Sequence, residues 1–290
     1  MKPPLIPRAR LLKSFFLIMA AAFVLSGPLC EKKRKNIGGL QVQHQVPVQW
    51  KKLAPGLAFT RLSLVRNKSD KIKPVVLRIE PRRYGFVLLS APALLDAPAG
   101  EIKDMADKAQ ALAAINGSFY LPDTYEPIGL VVSQGSVVHK WHPKAGSGLF
   151  IYKGGKAEIV WARQYDEEWE KALLALQAGP LLVEPGGKEG IYENRKKHRH
   201  RSALGIDEEG RVLMLCTLKE SEGDYLAGPD LYELMKIMMA PPERGGLGAE
   251  RALNLDGGAS SSLYVRHAGL PLNIPSANEV RNGIAVKKRK

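Results

Sequence analysis

The chain has 290 residues, enough for one large domain or two ordinary ones, with ample apolar material for a core. Hydrophobic and charged fractions of 45% and 25% are those of a globular protein and exclude a disordered or fibrous one. The net charge of +14 first suggests an acidic partner, but eight Lys/Arg against one Glu in residues 1–35 and the four cations at 287–290 supply all but +3 of it, which argues against nucleic acid.

Lys2, Arg8, Arg10 and Lys13 precede an apolar run at 14–25, too short to cross a bilayer comfortably, and Ser26-Gly27 follow. Basic, apolar, then small is the order of a secretory signal, so residues 1–30 are read as a signal peptide and the protein as secreted or periplasmic. An uncleaved N-terminal anchor that associates with the membrane is the alternative. The two cysteines, Cys30 and Cys216, build neither a disulfide framework nor a metal site. Cys216 falls in an apolar, strand-like run and reads as an inert core thiol.

Residues 31–56 are basic, then polar, and read as a linker. Strand character follows at 58–65, 75–80 and 85–90. Ile102, Met105, Ala106, Ala109, Leu112 and Ala113 recur at three- and four-residue spacing, predicting a helix over 101–113. Hairpins are expected at 129–140 around Gln134-Gly135 and at 149–162 around Gly154-Gly155. A short helix at 166–176 and a strand at 181–184 come next. A polar loop then ends in the basic run 195–201, ahead of a hairpin over 202–218. Pro229 opens a helix at 230–240, which Pro241-Pro242 ends. A last strand covers 283–286, before a basic tail at 287–290. Hairpins with few helices and no βαβ alternation predict an α+β fold: one domain, residues 57–286, with a mixed or largely antiparallel sheet and a few packed helices.

The chain is organised around Asn254-Leu255-Asp256-Gly257-Gly258-Ala259-Ser260-Ser261-Ser262, which lies between two apolar, strand-like runs. Asp-Gly there is a turn signal, but two glycines leave the backbone bare beside a carboxylate, where a ligand can approach closely. The hydroxyls that follow can donate to an anion or a sugar oxygen. The plainer reading is a serine-rich hairpin turn in which Asp256 only caps itself.

Asn116-Gly117-Ser118-Phe119, Gly179-Pro180-Leu181-Leu182, Arg201-Ser202-Ala203-Leu204-Gly205, the Asp256 segment and Arg281-Asn282-Gly283 occur in the order seen in the phosphodiester glycosidase family, which this sequence resembles over roughly residues 75–286. That domain belongs to the lysosomal uncovering enzyme, which removes N-acetylglucosamine from a sugar–phosphodiester, and to many exported bacterial proteins. The family usually has glycine where Ser118 and Ala259 stand, and residues 219–250 also differ from the better-characterised members.

The resemblance implies a hydrolase acting on a sugar–phosphodiester in envelope or extracellular glycans. Asp256, Asn116 and Arg201 are its expected catalytic residues, and Gly117, Ser118, Gly179, His200, Gly257, Gly258, Ser260, Ser261 and Asn282 its expected substrate contacts. The chemistry is consistent with that assignment. A phosphate monoester is already a good leaving group, so one carboxylate near the anomeric carbon, with cations and N–H donors on the phosphate, replaces the carboxyl pair of ordinary glycosidases. Arg201 suits the phosphate because a guanidinium meets two of its oxygens. A second carboxylate, if used, is Asp123, Glu126 or Asp224, among which spacing does not choose. His198 and His200 share a face if extended but lack a third ligand, so neither a metal nor a cofactor is assigned. A non-catalytic envelope module binding anionic glycans through the same loops is the competing reading.

Overall fold

In the strand Pro74–Ile79, Val75, Leu77 and Ile79 turn to one side and Val76 to the other, the two-residue period of a pleated strand. Both sides are buried, so both carry apolar residues. The neighbouring strand Val212–Thr217 repeats the pattern, with Val212, Met214 and Cys216 on one side and Leu213 and Leu215 on the other. Cys216 is a fully buried core thiol.

The computed structural model describes residues 36–67, 70–217 and 227–289. Its largest sheet has eight strands, in the spatial order Lys188–Glu189, Leu181–Glu184, Ala249–Asn254, Ser202–Asp207, Val212–Thr217, Pro74–Ile79, Leu57–Arg61, Lys51–Ala54. A five-stranded sheet runs Leu270–Ile274, Leu263–His267, Ala113–Asn116, Asn282–Lys288, Tyr84–Ser90. Another holds the two hairpins at Val131–His139 and Gly148–Trp161 about Leu174–Ala178. A small four-stranded sheet lies in residues 36–72. Paired strands among the described residues are antiparallel, as in Ser202–Asp207 against both of its neighbours.

The central core gathers side chains from the three larger sheets, including Leu77, Met214 and Leu253 from the first, Phe86, Ile115 and Ile284 from the second, and Phe150 and Leu176 from the third. The helix Leu231–Met239 covers the outer face of the eight-stranded sheet with Leu234, Met235 and Met238. Asp230 caps it: its side chain accepts the Glu233 N–H, and the Glu233 carboxylate accepts the Asp230 N–H. The helix Ile102–Lys108 packs on the outer face of the five-stranded sheet through Ile102, Met105 and Ala106. The result is an α+β domain, mainly antiparallel, with three α-helices among the described residues.

Several expectations need correction. From residue 36 the expected linker is folded: Asn36–Ile37, Leu40–Val42 and Lys51–Ala54 are strands, and Ile37, Leu40 and Val48 are buried. Lys287 and Lys288 complete the last strand and are not tail. The helix expected at 166–176 is a 3-10 turn, Glu167–Lys171, followed by the buried strand Leu174–Ala178. The helix expected over 101–113 ends at Lys108, leaving Ala113 to start a strand. No described helix is long and apolar enough to cross a membrane. The expected signal or anchor, residues 1–30, lies outside the described residues, as does Asp224.

One relationship positions the site. Ala249–Asn254 and Leu263–His267 do not pair as a hairpin, because the first belongs to the eight-stranded sheet and the second to the five-stranded sheet. The Asp256 segment is the crossing between them.

Candidate active site

Asn116 ends the strand Ala113–Asn116, next to Leu263–His267 in the five-stranded sheet, and is fully buried. Its Nδ2 donates to the Asp256 carbonyl at 2.7 Å, and its Oδ1 accepts the Ser262 N–H at 3.0 Å. One side chain therefore ties both ends of the crossing. Each bond is worth about 1 kcal/mol net, and losing its partner leaves a buried polar group that costs about 1–3 kcal/mol. The Asp256 N–H donates to the Gly117 carbonyl at 3.2 Å.

The other flank is held by the eight-stranded sheet. The Leu255 N–H donates to the Ser202 carbonyl at 2.9 Å and the Gly258 N–H to the His200 carbonyl at 2.8 Å. Asn254 Nδ2 donates to the Gly179 carbonyl at 2.8 Å and to the Leu255 carbonyl at 2.7 Å. Gly258 sits at φ +61°, a conformation open to glycine at little cost. Gly117 has a different reason: a Cβ there would lie 2.1 Å from Asn282 Oδ1.

Asp256 itself is half-buried. Burial pushes its carboxyl above the usual aspartate range, while hydrogen bonds from Ser260 and from the Gly257 N–H (2.9 Å to Oδ1) pull part of the way back. Tyr120 reaches the same cluster, its hydroxyl 3.4 Å from Ser260 Oγ and donating to the Glu279 carbonyl at 3.0 Å. Burial first, and then the Asp256 charge, push its phenol up. No second carboxylate among the described residues acts on Asp256. Asp123 and Glu126 are exposed.

Arg201 is close but not aimed as expected. A Cβ on Gly257 would lie 3.7 Å from Arg201 Nη1, so the guanidinium passes beneath the glycine loop. Its Nε donates to the Pro229 carbonyl at 3.1 Å and its Nη2 to the Lys197 carbonyl at 2.8 Å, and it makes no ion pair with Asp256. Burial pulls its pKa down to about 10, which leaves it charged at neutral pH. Arg199 is the exposed cation here, with its Cδ 3.9 Å from a Cβ on Gly258.

Several expected substrate contacts are interior. Ser118 and Asn282 are buried against each other, with Asn282 Nδ2 donating to Ser118 Oγ at 2.9 Å and the Ser118 N–H to Asn282 Oδ1 at 3.0 Å. His200 is 1% exposed, and what it gives the loop is its carbonyl. Gly179 likewise contributes a carbonyl, and Ser261 is fully buried. The groups left at least partly open are the Asp256 carboxylate, the Gly257–Gly258 loop, Tyr120 and Arg199, while Ser260 is buried and bonds Asp256. The serine at 118 thus fits its site by bonding Asn282.

His198, Asp230 and Glu233 bring ligand atoms within 4.8 Å of one another. The carboxylates are already engaged, Glu233 by Arg66 and both by backbone N–H groups, so the cluster is a helix cap with an ion pair.

A family model described as phosphodiester glycosidase matches residues 109–287, a span that holds Asn116, Arg201, Asp256 and Asn282. The chain belongs to the phosphodiester glycosidase family. The family carries a glycosidase-type, hydrolytic function. A search of curated proteins finds no match. Among solved structures, the catalytic domain of zebrafish N-acetylglucosamine-1-phosphodiester alpha-N-acetylglucosaminidase, auto-inhibited by its pro-peptide, is similar with a TM-score of 0.62 at 14% identity, covering 87% of this chain and 89% of that one. A hypothetical protein from Synechocystis is similar at a TM-score of 0.57 and 18% identity, over 84% of this chain but only 64% of that one. A Burkholderia pseudomallei K96243 protein described as exported is similar at a TM-score of 0.50 and 15% identity, over 74% of each chain. At these identities the likeness is one of fold.

Tyr120, Asn254 and Arg199 adjoin the Asp256 cluster without being among the expected site residues. Tyr120 and Asn254 stand at the margins of two of the motifs, and Arg199 was hidden in a charge run whose usual fate is solvent.

Proposed function

We propose that this phosphodiester glycosidase family member is an exported hydrolase that cleaves an N-acetylglucosamine-1-phosphodiester or a close relative in envelope or extracellular glycans. The observation that carries the reading is Asp256: a half-buried carboxylate on a crossing braced from two sheets, followed by a glycine pair that Arg199 and Arg201 approach. Ionised Asp256 attacks the anomeric carbon or takes a proton from the attacking water. The bond from the anomeric carbon to the phosphate oxygen breaks, and its electron pair leaves with the phosphate monoester. Arg199 offsets charge on that phosphate, while the Gly257 N–H holds the Asp256 carboxylate in place. Asn116 and Asn254 are positioning residues that fix the loop. Export is supported by the basic–apolar–small order of residues 1–30.

The test is release of free sugar from a methyl phosphodiester of N-acetylglucosamine-1-phosphate. Wild-type protein is expected to release it and Asp256→Asn to be slower by roughly 10²–10⁴-fold, the contribution of a positioned catalytic carboxylate. Full activity in the variant removes Asp256 from the mechanism. Saturable binding by wild-type protein with no sugar released, across a panel of glycosyl phosphodiesters, establishes the non-catalytic glycan-binding reading instead.

A further inference from the structure

A cavity of about 590 Å³, within the size range of small-molecule sites, is lined in part by Arg199 and Arg201, the two cations that also approach the glycine loop. Arg195, Lys197, Arg199 and Arg201, four cations at every second position, all line it. Pro180, Ile191 and Leu231 supply apolar wall, and Tyr192, 79% exposed, stands at its rim. The cavity shares Arg199 and Arg201 with the glycine loop and Pro180 with the Gly179 turn that Asn254 holds. It therefore continues the candidate active site in one direction.

Two carboxylates also line it, and both are engaged. Glu193 pairs with Arg195, and the Asp230 oxygens accept the Glu233 and Lys196 N–H groups. Arg201 is committed to two carbonyls. Lys197 and Arg199 are both exposed, and neither forms an ion pair with a described carboxylate. Arg199, which approaches the glycine loop, suits a phosphate at the reacting bond, and Lys197, two residues further along the same wall, suits a second one. An exposed tyrosine beside them offers the flat apolar face on which a pyranose ring lies.

We propose that this cavity is the subsite for the leaving-group side of a polymeric substrate, a glycan carrying repeated phosphodiesters. Arg199 takes the phosphate at the cleaved bond, Lys197 the next one along, and Tyr192 supports the sugar between them. The assignment rests on the glycosidase reading above for its orientation, since that reading places a phosphate beside Arg199.

The test uses the full chain carrying Asp256→Asn, so that ligand is not consumed, and an oligomer of N-acetylglucosamine-1-phosphate repeats as probe. Its comparators are the single methyl phosphodiester, a neutral N-acetylglucosamine oligomer and single-stranded DNA. The phosphate oligomer is expected to bind at least about tenfold more tightly than the monomer, since one charge-assisted contact is worth about that factor. Adding Lys197→Gln or Tyr192→Ala should remove most of that advantage while leaving monomer binding unchanged. Lys197→Gln should also lower the salt dependence of oligomer binding by about one phosphate contact. Both side chains are exposed, so unchanged melting temperatures are expected and separate a lost contact from a lost fold.

Equal binding of monomer and oligomer, no effect of either substitution, or DNA bound as tightly as the phosphate oligomer overturns the proposal. Turnover distinguishes it from the parent reading. If no wild-type preparation releases sugar but oligomer binding still depends on Lys197, the hydrolase and the leaving-group assignment fall, and the cavity stands as a binding site for repeated phosphodiesters. If the monomer is cleaved while Lys197→Gln leaves oligomer affinity and cleavage untouched, the subsite falls and the hydrolase stands.

Discussion

The Asn116 side chain donates to the Asp256 carbonyl at 2.7 Å from a position at the end of a strand in a different sheet from the one that leads into Asp256. With its other atom on the Ser262 N–H, it fixes both ends of the loop that carries the carboxylate.

Asn116→Ala removes both bonds and leaves two interior backbone groups unpaired. It should destabilise the protein by about 2–4 kcal/mol, read as a lower denaturation midpoint with unchanged slope. Asn116→Asp is the sharper variant, because it sets an oxygen against the Asp256 carbonyl while keeping the shape. Turnover should fall through kcat more than through KM, since the loop's position and not substrate affinity is disturbed.

Asp256→Asn should make the protein more stable at neutral pH while slowing turnover. Burial raises the folded pKa of Asp256 above its unfolded value, so the unfolded chain holds fewer protons on this group between those two values. The ionised form therefore costs stability above the folded pKa, and that cost vanishes as pH falls towards the unfolded value of about 4. The variant's advantage, read as a higher Tm, should shrink to nothing over the same descent. An advantage that is independent of pH would mean that the carboxylate is not desolvated.

The same shift sets the acid limb of kcat/KM. Asp256 works ionised, so activity should be lost on acidification with an apparent pKa above about 4, the ordinary aspartate value. The anomeric configuration of the released sugar, followed by NMR, then separates the two roles of Asp256. Retention is the outcome of direct attack and inversion that of base-assisted attack by water.

Two glycines should fail for different reasons. Gly258→Ala carries only the left-handed backbone cost, about 1 kcal/mol, because nothing but Arg199 Cδ at 3.9 Å stands near the new methyl. Gly117→Ala drives a methyl into Asn282 and disturbs its bonds to Ser118, at about 1–3 kcal/mol and with a larger loss of activity. Thermal melts of the two variants side by side check the ranking.

Arg66→Met should be the most damaging change far from the loop. Arg66 grips both Glu233 oxygens, at 2.7 and 2.6 Å, and Glu233 is 3% exposed. Removing the guanidinium strands a buried carboxylate at about 3–5 kcal/mol, while Arg66→Met with Glu233→Leu should recover much of the loss. Chemical denaturation of the single and double variants tests this.

Much of this was legible in the residues. Apolar runs at 75–80 and 212–218 mark strands, and Gln134-Gly135 and Gly154-Gly155 sit at hairpin turns because both pairs take positive φ. The Asp256 loop and Asn116 stood out because a carboxylate beside bare backbone has few structural uses. What failed was long-range. Leu253 and Leu263 have the same character whether their strands pair with each other or join separate sheets, so nothing local separates a hairpin from a crossing. Trp169, Leu173 and Leu176 fit a helical spacing as well as a turn leading into a strand, and tertiary burial of Leu174–Ala178 decides for the strand. The polar strands within 36–54 have no pattern of their own and are ordered by what they pack on. Arg201 was placed correctly in the chain but not in direction, since the carbonyls of Lys197 and Pro229 that claim it come from loops without a sequence signature.

Because the carboxylate rides on a span anchored in two separate layers, its recess is shaped by how those layers seat against each other. Trimming Leu253 or Leu263, both buried in the shared interior, would let one layer settle on the other and shift the reacting group without altering any atom a substrate touches. Catalytic rate in such variants becomes a gauge of interlayer spacing, and second-site mutations that restore volume anywhere in that interior should restore the rate with it.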